Sequence, residues 1–135
     1  MDFGLSEDQV LLEETVRNFL ADKVPITRVR ELRDEACPND REIWKQLAEL
    51  GVTGILAPAD CGGSDLSLLD AALVAQALGH AVTPSPFLSA AVMAPVALRT
   101  LGGADAERWL GGISGGELFF GAVSYTHLRA HETAA

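Results

Sequence analysis

Basic residues are scarce in this 135-residue chain, with 10 Lys and Arg against 19 Asp and Glu and a formal net charge of −9. That deficit excludes a nucleic-acid binder, whose phosphate contacts demand a basic footprint. It also disfavours adhesion to anionic membranes. No apolar run approaches the ~18 residues of a membrane-spanning helix, and the acidic N-terminus is not that of a secretory signal. Cysteine is nearly missing: Cys37 and Cys61 are the two present. A pair so far apart in an intracellular chain reads as two reduced thiols. Phosphate-cradling loops of the G-x-x-x-x-G-K-[ST] or G-x-G-x-x-G type do not occur. Nor is there an internal repeat, a nucleophile–base pair or a placeable pair of catalytic carboxylates. The default is a soluble, cytoplasmic protein of one domain, since 48% hydrophobic residues suffice for a packed core.

What is present is helical signal. At "LSEDQV", Ser6 and Gln9 stand at capping-box spacing, Leu5 and Val10 at staple positions, and Glu7 and Asp8 in the first turn. Val10, Leu12, Val16, Phe19 and Leu20 recur at helical spacing until Val24-Pro25. "ITRVRELRDE" predicts a mostly exposed second helix with Val29 and Leu32 inward. A third helix starts at Asn39 or Asp40, carries Ile43, Trp44, Leu47 and Leu50 on one face, and ends at Gly51. "GILAPADCGGSDLS" is a connector with turn chemistry throughout. Ser67 and Asp70 then form a second capping box before "LLDAALVAQALG", a nearly all-apolar helix with Leu69, Leu73 and Ala77 buried and Gly79 at its end. His80, just after that end, reads as a satisfied or solvated side chain rather than a catalytic one.

Ser85-Pro86 opens a helix over "FLSAAVMAPVALRTLG", which Pro95 kinks or splits. "DAERWL" is a last short helix, "GGISGG" a loop, and "ELFFGAV" turns toward a strand. The prediction is an all-α bundle of about five to six helices spanning 1–116, with 117–122 entering a β-domain.

The tail raises a metal question. His127 and His131 stand four apart with Glu132 beside them, a spacing that can share zinc. A site needs more ligands than this chain offers, since His80 is the remaining histidine. Val123 to Thr133 also resembles, letter by letter, the translation of a transposase-type sequencing adapter. Residues 123–135 are therefore read as a non-native tail, and no metal is expected.

Three segments carry a resemblance: "MDFGLSEDQVLLEETVRNFLADKV", "WKQLAELGVTGILAPADCGGSDLSLLDAALVAQALG" and "LGGADAERWLGGISGGELFFGAV". In order, they resemble the N-terminal helical domain of the acyl-CoA dehydrogenase family of flavoproteins. The resemblance implies FAD, held by a β-domain, a C-terminal bundle and a neighbouring subunit, and an acyl-CoA substrate desaturated to 2-enoyl-CoA. It further implies an electron-transfer-flavoprotein-like acceptor and a homo- or hetero-oligomer. The base glutamate usually lies in the C-terminal bundle, so none of Glu31, Glu35, Glu49 or Glu117 takes that role, and no catalytic or cofactor-binding residue is assigned. Phe87, Leu88, Val92 and Met93 are the candidate acyl-chain wall. "VTPSPFLSAAVMAPVAL" looks like divergent members associated with bulky or steroid-derived acyl groups, some of which pair unlike subunits. Two alternatives are a non-catalytic partner subunit and a free-standing helical interaction module.

Overall fold

A computed structural model describes residues 4–34 and 40–121. Its elements are α1 (Glu7–Lys23), α2 (Ile26–Asp34), α3 (Arg41–Glu49), α4 (Leu68–His80), a π-helical segment (Phe87–Met93) running into α5 (Ala94–Leu101), and α6 (Ala104–Ser114). A single 3₁₀ turn, Ala59–Cys61, lies in the α3–α4 connector. Residues 117–121 are neither helix nor paired strand. The expected strand has no second edge to pair with among the described residues, and an isolated strand is not stable in water.

The predicted caps form, and two of them are wired together. Ser6 accepts from the Gln9 amide at 3.2 Å while Gln9 Oε1 accepts from the Ser6 amide at 3.0 Å. Gln9 Nε2 then donates to Asp70 Oδ1 at 3.1 Å, and Asp70 Oδ2 accepts from the Ser67 hydroxyl and amide at 2.6 and 2.8 Å. Those donors, Ser67 Oγ foremost, hold the Asp70 carboxyl below its ordinary pKa although burial works the other way. The bond ties the N-terminal ends of α1 and α4. At the other end Leu20 and Ala21 share a cleft with Ala77, His80 and Ala81, so the two helices run parallel. Between them Val16, Leu20, Val74, Ala77 and Leu78 build the core with Ile43, Trp44 and Leu47 of α3.

Several apolar residues lie elsewhere than predicted. Val10 and Leu69 are exposed: each is one residue from the Gln9–Asp70 bond, and one residue along a helix turns a side chain about 100° away from that contact. Leu50, one residue past α3, is exposed as well. Gly79 is not the end of α4. The helix runs through His80, and the left-handed residue that closes it is Val82, at φ +51°. "GGIS" is helical rather than a loop: α6 continues to Ser114 because Leu110 and Ile113 are buried. That burial offsets the cost of two helical glycines, about 1 kcal/mol each.

The connector is core, not surface loop. Val52, Thr53, Ile55, Leu56 and Ala57 are all buried. Their backbone groups must then be paired within the protein. Gly51 (φ +77°) turns the chain after α3 with Gly51 N–H to Ala48 O and Val52 N–H to Leu47 O, both at 2.9 Å. Ser64 N–H to Gly54 O, Asp65 N–H to Ala57 O and Leu66 N–H to Ile55 O, each at 2.9 Å, close the connector on itself. Arg99 of α5 adds a bond to Leu56 O at 2.8 Å. Gly63 packs against the Ala57 carbonyl with no room for a methyl group. Gly63→Ala is expected to cost about 3 kcal/mol or more, read as a lowered urea midpoint at constant m-value. An unchanged midpoint would mean that the connector is loosely packed.

Candidate functional site

The predicted wall residues lie on the π-helical segment after Pro86. The Ala94 amide donates to Ser89 O, the i to i−5 register of a π-turn, and such turns concentrate at functional sites. The widened register makes residues five apart neighbours. Phe87 and Val92 therefore share one side, and Leu88 and Met93 the other. Phe87 is 3% exposed and joins the main core, with Val92 packed partly buried against it. Leu88 is 63% exposed and Met93 39%. The four residues are not brought into one pocket: two are core and two form an outward apolar face. The helix is divided at Pro95 into the π-helical segment and α5. Pro95 is buried in the first turn of α5, where the π register gives way to α and a missing N–H costs least.

Other large apolar side chains are exposed as well: Leu66, Leu68, Leu69, Val96 and Leu101. Where α6 ends, Gly116 (φ +71°) redirects the chain across the bundle. Leu118 packs on Gly112, Phe119 lies against Trp44 at 5.8 Å between centroids, and Phe120 lies against Trp109 at 6.2 Å. The Arg41 guanidinium covers the Phe119 ring at 5.9 Å, a geometry that favours a cation over the ring face. Trp44 is a core residue, as its spacing predicts, with its Nε1 buried and without a hydrogen-bond partner.

The described residues hold few groups suited to chemistry. No three His, Cys, Asp or Glu side chains among them gather as a metal site. His127, His131 and Glu132 lie outside the described residues, as does Cys37. Cys61 is a free thiol, its pKa raised by burial and by Asp60 and Glu107, which suppresses the reactive thiolate. His80 is exposed at the end of α4. Two clefts, of about 610 and 480 Å³, are lined mainly by aliphatic side chains.

Residues 6–117 match the model of the acyl-CoA dehydrogenase N-terminal domain. The chain belongs to the acyl-CoA dehydrogenase family. Isovaleryl-CoA dehydrogenase of Pongo abelii is 42% identical over 78 residues, which cover 58% of this chain and 18% of that protein. Acyl-CoA dehydrogenase IpdE2 of Mycobacterium tuberculosis is 33% identical over 102 residues, covering 75% and 32%. Among solved structures, the ChsE4-ChsE5 complex of Mycobacterium tuberculosis superposes with a TM-score of 0.78 at 29% identity, over 87% of this chain and 32% of that one. A variant of the steroid ACAD Tcur3481-Tcur3483 follows with a TM-score of 0.75 at 26% identity, covering 82% and 30%. The chain thus spans a fifth to a third of the length of these relatives.

The split of the π-segment is open to test. Phe87→Ala is expected to cost about 3–5 kcal/mol through loss of a buried ring, whereas Leu88→Ala stays within about 0.5 kcal/mol. Chemical denaturation of the two variants decides it. Equal costs would contradict the two-sided register.

Proposed function

We propose that this acyl-CoA dehydrogenase domain is the N-terminal helical part of an FAD-dependent enzyme that acts on the CH–CH bond of an acyl-CoA thioester and yields the 2-enoyl-CoA. The observation that carries the reading is the family match over residues 6–117. The reaction removes a proton from Cα and a hydride from Cβ, and FAD supplies the hydride-accepting chemistry. An electron-transfer-flavoprotein-like acceptor then takes up the two electrons. The residues described here contribute no step to that exchange. Their role is to present an apolar face, with Leu88 and Met93 toward the acyl chain and Phe87 and Val92 as the rigid backing behind them. Excluding water from such a wall strengthens the electrostatic interactions on which the chemistry depends.

A second reading has its own support. Two of the superposing structures carry paired names, ChsE4-ChsE5 and Tcur3481-Tcur3483, and the first is a complex. In that reading the domain belongs to one of two unlike subunits, and a steroid-derived acyl group suits the exposed apolar surface.

The test uses the protein in which this domain is followed by the remainder of the family's length. Purified aerobically, it is expected to carry a flavin absorbance spectrum that bleaches when an acyl-CoA is added without oxygen. A flavin-bearing protein that bleaches only when co-expressed with an unlike family member would favour the second reading. A protein that never takes up flavin and leaves acyl-CoA unoxidised would contradict both.

A further inference from the structure

The turn that leaves α4 holds a residue that stability does not explain. Thr83 N–H bonds Leu78 O and Val82 N–H bonds Gly79 O, both at 3.0 Å. This two-bond closure puts its central residue in left-handed backbone, where glycine is favoured. Here that residue is Val82, at φ +51°. A β-branched side chain in that region is an outlier, and strain of this kind gathers at ligand clamps and switch points. The isopropyl group is not retained for the core, since Val82 is 60% exposed. It stands between two clefts and lines both.

The larger cleft, about 610 Å³, lies between α2 and the end of α4, within the size range of small-molecule sites. Val29, Leu78, Val82 and Pro84 supply apolar walls, and the exposed Arg30 and Arg33 stand beside them. Three residues apart on α2, the two arginines present neighbouring guanidinium groups. Arg33 commits Nε and Nη2 to Asp34 at 2.8 and 3.1 Å, which leaves its Nη1 edge. Arg30 forms no ion pair among the described residues. In a chain of net charge −9, two guanidinium groups beside an aliphatic cleft select one ligand chemistry. The planar fork matches a carboxylate, and the walls match a hydrocarbon body.

We propose that the α2–α4 cleft binds a small amphipathic carboxylate, its head held by Arg30 and Arg33 and its body against Val29, Leu78, Val82 and Pro84. The site shares no lining residue with the Leu88–Met93 face and requires neither flavin nor thioester. Its fate is therefore independent of the dehydrogenase reading. Val82 is kept at a strained position because glycine there would remove a wall of the site.

The probe is octanoate, titrated into the methyl-labelled 135-residue chain at low ionic strength, with octanol as the neutral control. Saturable shifts are expected at the Val29, Leu78 and Val82 methyls, with octanol at least tenfold weaker. Truncating both arginines, as Arg30→Ala with Arg33→Ala, is expected to weaken octanoate at least tenfold while leaving the melting temperature unchanged. Val82→Gly is expected to raise the melting temperature and yet weaken binding at least threefold, a combination that a purely structural residue would not give. Equal affinity for octanol, unaltered binding in the arginine variant or in Val82→Gly, or the absence of methyl shifts would overturn the proposal.

Discussion

The hydroxyl of Thr53, buried in the connector between α3 and α4, donates to the Ser114 carbonyl at the end of α6 across 2.7 Å. Beside it a Cβ on Gly54 would stand 2.8 Å from the Ser114 side chain, so the connector backbone packs directly on the last residue of α6. Much of the architecture depends on that junction. A connector carrying six successive buried positions, 52–57, tolerates no unpaired amide or carbonyl, and glycine at residues 54 and 63 permits the close approaches that pair them. Because α6 is docked at Ser114, the chain beyond it leaves at a fixed place. Gly116 then meets Ala48 and Trp44 of α3, and Phe119 and Phe120 settle on the two tryptophans. The exit toward the rest of the family's length is thus set by a hydrogen bond and two close glycine contacts.

The apolar face of the π-segment follows from the same economy. Phe87 and Val92 fasten the segment to the core, and the five-residue spacing turns Leu88 and Met93 outward. One short element serves packing and presents a hydrophobic surface without competition between the two tasks. Surfaces of this kind mark contacts with other parts of a protein or with a ligand. In the dehydrogenase reading that face meets the acyl chain, while flavin and base come from sequence beyond this domain.

Local rules made some of this legible in the sequence. The capping boxes at Ser6 and Ser67, the glycine after α3 and the buried Trp44 follow from spacing and cap chemistry alone. Other features are decided by tertiary contacts that no local pattern carries. Burial of Leu110 and Ile113 drives α6 through two glycines. The connector reads as turns because its Gly, Pro and Asp residues are turn formers, although Val52, Ile55 and Leu56 already hint at burial. The π register splits four wall candidates two and two, and neither propensity nor helical period signals an inserted residue. At Val82 the local rule asks for glycine and the chain supplies valine. Such conflicts between local preference and structure are where functional constraint is expected. The family resemblance, by contrast, was carried by the order of motifs and owed little to any single residue.

Native-state hydrogen exchange of the connector tests the central claim, that the α3–α4 segment is core. The amides of Val52, Ala57, Ser64, Asp65 and Leu66 are all hydrogen-bonded within the connector or to α3. If the connector is the keystone described, these amides exchange only through global unfolding, with the same free energy as Leu20 and Val74 in the core helices. If they exchange at the rates of an ordinary surface loop while α1 and α4 stay protected, the connector is peripheral. The position of α6 and of the chain exit would then need another cause.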